Sequence, residues 1–289
     1  MDLVRRPMDA SLLEEGKILI WTTALDSVGD VRLGQLASLL SPAENQRALR
    51  LCFERDRRRF IVCRGVLREI LGTYLEMDPA KLVFSYGPQG KPYLKIPNER
   101  PLHFNVAHSL GWAIYALGFG EIGVDLELMR PIPEMQALVD QCFSAGEVSA
   151  FYSIPAALRL RAFFSCWTRK EAYVKACGDG LSILLDQFEV SVDPELPPRL
   201  VSVRGTPGAH LPWTLFSFDL WTDAVAALVC PRHNKPLLCG SWPYQSGSRE
   251  KWFLGEASDL VVPRVMSPAA GHQSNLALGY PLATGEERD

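Results

Sequence analysis

The chain has 289 residues, 47% hydrophobic and 22% charged, with 30 Lys+Arg against 33 Asp+Glu and a formal net charge of −3. That length suits one large domain or two small ones, and the composition excludes collagen-like, coiled-coil and wholly disordered chains. A near-neutral balance argues against a surface that is one nucleic-acid footprint.

In chain order, the opening MDLVRRPMDASLLEEGK has no apolar run of signal-peptide type, and no stretch reaches the length of a spanning helix. Seven scattered cysteines without a C-x-x-C pair fit buried free thiols in a reducing compartment, so a cytoplasmic protein is expected, with no membrane partner. Residues 17–22 read as a strand. A helix is predicted after Ser41-Pro42, with Ser41 as N-cap and Pro42 at the first helical position. From Glu54 to Leu75, apolar residues recur at three-to-four spacing, which predicts a long helix. Leu82–Phe84 and Pro92–Leu94 predict strands around the turn Gly87-Pro88-Gln89-Gly90. His103–Ser109 reads as a strand ending in a polar corner. Trp112–Phe119 and Ile122–Glu127, separated by Gly120-Glu121, predict a hairpin.

A second long helix is expected over 156–177, stopped by Gly178 in the left-handed region. Strands follow within 186–203 and 211–230, the last two joined at Thr222-Asp223. The order strand–helix–strands thus occurs twice. It predicts an α+β fold of two similar lobes, each a small antiparallel sheet on a long helix. The lobes are assigned to residues 1–119 and 120–231. Over 232–289, Gly, Pro, Ser and Gln make up 19 of 58 residues, which predicts a loop-rich, disordered tail.

Three groups of residues bear chemistry. Asp125 and Glu127 lie at i and i+2 of a strand and therefore on one face, with Ile122, Val124 and Leu126 on the other. The pair reads either as a solvated face with salt bridges or as oxygen ligands for a hard cation. Trp167, Glu171 and Lys175 share one helix stripe, either as a surface ion pair or as a covered face on which Glu171 needs a cation. Eight arginines between 47 and 68 face only Glu54 and Asp56, a local excess of six positive charges. Most suit a solvated helix face, and one or two suit phosphate. Lys91 and His108 are two further candidate phosphate donors in loops, although a lone histidine of this kind more often serves the fold.

These segments form an ordered series: Gly90-Lys91-Pro92; Phe104-Asn105-x-x-His108-Ser109; Gly123-Val124-Asp125-Leu126-Glu127; Trp167-x-x-Lys170-Glu171-Ala172-x-x-Lys175-x-x-Gly178-x-Gly180-Leu181. The series resembles the 4′-phosphopantetheinyl transferases of the two-lobed, Sfp-type class, over residues 15 to 231. That resemblance implies a pseudo-dimer of two such lobes with the active site between them, and transfer of the phosphopantetheine arm of coenzyme A to a serine of an acyl- or peptidyl-carrier protein, leaving 3′,5′-ADP. This is a holo-[acyl-carrier-protein] synthase type of reaction, carried out by a monomer without nucleic acid.

The resemblance implies Asp125, Glu127 and Glu171 as Mg²⁺ ligands, Glu171 as base and Lys175 at the departing phosphate. It implies Arg47, Arg59, Lys91 and His108 as contacts to coenzyme A. Lys170 belongs to the motif without an assigned role. Two departures, Ala107 for a serine and Glu44 for a basic residue, predict weaker nucleotide contacts. The rival expectation is a non-catalytic regulator of the same fold that binds coenzyme A or a carrier.

Overall fold

The computed structural model describes residue 13 and residues 16–95, 101–178, 183–204, 206–208, 211–232 and 237–242. Strand β1 (Ile18–Ala24) is followed by a 3₁₀ turn at Leu25–Ser27 and by helices α1 (Asp30–Leu39), α2 (Pro42–Leu49) and α3 (Glu54–Leu75). Strands β2 (Phe84–Tyr86) and β3 (Pro92–Leu94) form the expected small antiparallel ribbon. Then come β4 (His103–Ser109), β5 (Trp112–Gly118), β6 (Gly123–Leu128), α4 (Met135–Cys142), α5 (Ala145–Ser153) and α6 (Arg159–Cys177). A second ribbon of β7 (Phe188–Val190), β8 (Leu200–Val203) and β9 (Thr206–Pro207) precedes β10 (Trp213–Trp221), β11 (Ala224–Pro231) and β12 (Leu237–Ser241).

Local chemistry sets the element ends. Ser41 caps α2 through a reciprocal box with Glu44, and Ser144 does the same for α5 with Glu147; such caps are each worth about 1 kcal/mol. Gly178 closes α6 with φ of 74°, a conformation glycine adopts without steric penalty. The sequence signals for α1, α4 and α5 were too short or too weakly periodic to separate from loop.

Two sheets form the centre. The first has the order β12-β1-β5-β4 and the second β10-β11-β6. Their inner faces meet through Ile20, Ile114 and Ala116 on one side and Val124, Leu126 and Leu228 on the other. On the outer face of the first sheet, Trp21 and Tyr115 pack under Val62, Val66 and Ile70 of α3. On the outer face of the second, Val225, Ala227 and Val229 pack under Phe163, Ala172 and Ala176 of α6. The layers therefore run helix, sheet, sheet, helix, in a mixed α+β fold. The strands are apolar on both faces because both faces are covered.

Two expectations are corrected. β5 and β6 do not form a hairpin: β5 pairs with β1 and β4, whereas β6 pairs with β11. At Gly120-Glu121 the chain crosses from one sheet to the other, because each strand has an apolar face that only the opposing sheet can cover. The tail is not wholly loop either. Leu237–Ser241 lies parallel to β1, and Trp242 packs edge-on to Trp21 at 5.1 Å. Residues 243–289 lie outside the described residues.

Lys170, without an assigned role in the sequence, is an architectural cation. It is 0% exposed, and its ammonium donates to both Glu147 oxygens at 2.7 and 2.6 Å and to the Phe188 carbonyl at 2.7 Å. Glu147 also accepts from the Val190 N–H. One ion pair thereby ties α6 to α5 and β7. Lys170→Met leaves Glu147 buried without its counter-charge, and equilibrium urea unfolding is expected to show a loss of about 3–5 kcal/mol. A loss under about 1 kcal/mol would contradict this role.

Candidate functional site

The site lies where β6 crosses α6. Ile122, Val124 and Leu126 point into the core between the sheets, so by alternation Gly123, Asp125 and Glu127 face the helix. Gly123 permits the contact: a Cβ there would stand 2.1 Å from the Ala172 carbonyl oxygen and 2.3 Å from the Ala176 nitrogen. The bare backbone brings Asp125 to Lys175, whose Nζ donates to Oδ1 at 2.5 Å. Asp125 is only 5% exposed, and its Oδ2 is buried without a partner. A solvated carboxylate face is thereby excluded.

Side chains of β4 pin β6 from its other side. The Asn105 Oδ1 accepts from the Val124 N–H at 2.8 Å, and the Ser109 Oγ accepts from the Leu128 N–H. Ser109 also donates to Glu127 Oε2 at 2.8 Å, and Arg130 donates to the same oxygen at 3.4 Å. Ser109, Arg130 and the packing role of Gly123 were not identified from sequence; the first and last stood inside quoted motifs, but their partners are distant in the chain.

Charge in this cleft is unbalanced. Burial, reinforced by the charge of Asp125, pushes the Glu127 carboxyl up to about 7. Burial likewise raises the Asp125 pKa against the pull of Lys175, and it raises that of Glu171. Burial opposes the Lys175 charge, yet Asp125, Glu171 and Glu127 outweigh it and raise its pKa. Three carboxylates thus lie near Lys175 with Arg130 at the edge of Glu127, and an oxygen-only donor set with one negative charge in excess suits a hard divalent cation. Among the described residues, no three His, Cys, Asp or Glu side chains are gathered closely enough to hold a metal ion, and Lys175 takes the Asp125 oxygen. The orphaned Oδ2 and the charge deficit fit such an ion.

Of the expected nucleotide contacts, the structure brings His108 and Arg59 beside this group. His108 is exposed, and partial desolvation, then the nearby Lys175 and Arg59 charges, lowers its pKa. Arg59 is held by Asp26. Lys91 donates to Glu121 at 2.9 Å and to the Ala176 carbonyl at the end of α6. Arg47 lies on the exposed surface with its guanidinium 5.6 Å from the Phe60 ring centre.

Most of the arginine cluster is engaged in ion pairs. Glu44 is buried and accepts from both Arg64 and Arg68, while Arg58 pairs with Asp30 and Arg57 with Glu54. Glu44 therefore serves the fold of α2 on α3. Gly180-Leu181, the end of the helix motif, lies outside the described residues.

With this geometry in hand, comparison with known proteins is informative. The 4′-phosphopantetheinyl transferase superfamily pattern matches residues 121–229, and the pattern described as 4′-phosphopantetheinyl transferase, N-terminal, matches residues 30–118. The 4′-phosphopantetheinyl transferase HetI of Nostoc sp. is 38% identical over 226 residues, covering 78% of this chain and 91% of that protein. The 4′-phosphopantetheinyl transferase ffp of Bacillus subtilis is 31% identical, covering 70% of this chain and 87% of its own length. The 4′-phosphopantetheinyl transferase Sfp of Bacillus subtilis strain 168 is 28% identical, with 68% and 84% covered.

Glu127 supplies a pH test in metal-free protein. Its folded pKa near 7 exceeds the ordinary 4.5, so the folded state binds more protons and the group weakens the fold as pH rises through that window. Relative to wild type, Glu127→Gln is expected to gain about 2 kcal/mol between pH 5 and pH 8, read from chemical unfolding at each pH. A difference independent of pH would refute the assignment.

Proposed function

This chain belongs to the 4′-phosphopantetheinyl transferase superfamily and transfers phosphopantetheine from coenzyme A to carrier proteins, and we propose the residues by which it does so. The observation that carries the reading is the convergence of Asp125, Glu127, Glu171 and Lys175 between β6 and α6.

Asp125, Glu127 and Glu171 would hold Mg²⁺, which when bound neutralises the pyrophosphate and makes its phosphorus more electrophilic. Glu171 also accepts the proton of the attacking carrier serine; its raised pKa suits a general base better than an ordinary carboxylate would. The serine oxygen bonds to the phosphorus bearing the pantetheine arm, and the bond from that phosphorus to the oxygen of the nucleotide half breaks. Lys175, held one turn beyond Glu171, meets the charge that develops on the departing 3′,5′-ADP. Ser109 and Arg130 orient Glu127.

Arg59 and His108 bind phosphate at the edge of the same group, with Lys91 and Arg47 as further cations toward the nucleotide. The chain is read as two similar lobes meeting at residues 119–120 with the reaction between them, and as a monomer. Carrier choice, in the manner of a holo-[acyl-carrier-protein] synthase or of a peptidyl-carrier enzyme, belongs to the surface around the cleft. The seven cysteines are all free, which suits a reducing cytoplasm. No helix of the described residues is long and apolar enough to cross a membrane.

The test is incubation with coenzyme A, Mg²⁺ and a panel of apo carrier proteins, followed by intact-mass spectrometry. At least one carrier is expected to gain one phosphopantetheine. Glu171→Gln is expected to lower kcat by about a thousandfold with the fold intact, because an amide is a poor base and a poor hard-cation ligand. Coenzyme A binding without Mg²⁺ dependence, and without transfer to any carrier, would instead establish a binding regulator. Near-normal turnover by Glu171→Gln would remove that residue from its role.

A further inference from the structure

Asp26 sits in the 3₁₀ turn after β1 and has no place in the metal or base chemistry. Its carboxylate takes one edge of Arg59: Nε donates to Oδ1 at 2.7 Å and Nη2 to Oδ2 at 2.6 Å. That leaves both N–H groups of Nη1 and one of Nη2 unbound by Asp26, a second edge able to grip an anion in the same two-pronged way.

The turn between β4 and β5 is shaped around this pair. The Leu25 N–H donates to the Gly111 carbonyl at 2.7 Å. A Cβ on Gly111 would lie 2.5 Å from Asp26 Oδ2 and 3.5 Å from Arg59 Nη2. The preceding Leu110 adopts φ of 51°, a left-handed conformation unfavourable for a side chain of its size. On the adjoining strand, His108 feels the Arg59 charge. Arg57 and Arg58 of the same helix are engaged elsewhere, with Glu54 and with Asp30.

The Asp26 side chain is half exposed, and ion pairs this open to water contribute little to folding. What the contact does achieve is direction: an arginine has many rotamers, and one already held by a carboxylate need not be ordered when its ligand arrives.

We propose that Asp26 is a positioning residue for phosphate recognition, fixing Arg59 so that its free edge meets a phosphate of coenzyme A beside His108. The inference rests on Arg59 being a coenzyme A contact. Repulsion between Asp26 and the phosphate opposes the effect. It is weakened because the carboxylate occupies the other edge of the guanidinium and is open to solvent screening.

The experiment is steady-state transfer kinetics of full-length wild type, Asp26→Ala, Arg59→Ala and the double variant, with a saturating carrier. Asp26→Ala is expected to raise KM for coenzyme A about tenfold while kcat stays within about twofold. Arg59→Ala is expected to raise KM at least as far, and adding Asp26→Ala to it should change nothing more. If Arg59→Ala leaves KM unaltered, the reading of Arg59 as a contact fails and this inference with it. If Arg59→Ala acts but Asp26→Ala leaves KM unchanged or lowers it, the positioning role alone is overturned. Additive losses in the double variant would overturn it too, by showing that Asp26 acts other than through Arg59.

Discussion

The proposed chemistry depends on how closely one strand can approach one helix. β6 supplies Asp125 and Glu127 and α6 supplies Glu171 and Lys175, and they are neighbours because Gly123 has no side chain. With Ala172 and Ala176 fully buried opposite it, the strand backbone rests against the helix backbone. A single methyl group at position 123 would force the two apart and part Asp125 from Lys175. The rest of the architecture serves this contact. The inter-sheet core presses β6 outward, and Asn105 and Ser109 hold its far side.

Buried ion pairs occur in two kinds here, and the distinction is whether the charges are satisfied. Glu44 with Arg64 and Arg68, and Glu147 with Lys170, have counter-charges and hydrogen bonds that match them. Such pairs define the packing of neighbouring elements and are costly to break from one side. The group at β6 and α6 is different. Its three carboxylates outnumber Lys175 and Arg130, and one buried oxygen of Asp125 is without a partner. Incomplete satisfaction of this sort separates a binding site from a structural network.

Much of this was legible along the chain. The bounds of α3 and the end of α6 follow from helical periodicity and a glycine stop, and the Ser41 cap from the Ser41-Pro42 pair. The strand of Asp125 and Glu127 followed from alternation, which also placed its apolar residues inward. The β5–β6 hairpin misled because two adjacent strands with a short turn read as partners, whereas their buried faces belong to opposite sheets. β12 was hidden in a segment of loop-like composition, since a short edge strand takes its stability from β1 and leaves little mark on its own residues.

The sequence alone determined the elements, the residue types and the faces they occupy, because helix and strand periods act within a few residues. It also indicated the chemistry, though only through the ordered series of motifs, since each carboxylate, lysine or arginine group taken alone also suits a solvated surface. Only the tertiary structure decided which charges are free. Eight arginines look alike along the chain, but Glu44, Asp30 and Glu54 claim four of them, and Asp26 orients one. All these partners but Glu54 come from other turns and helices, so the division between fold and function among like residues is made largely by packing.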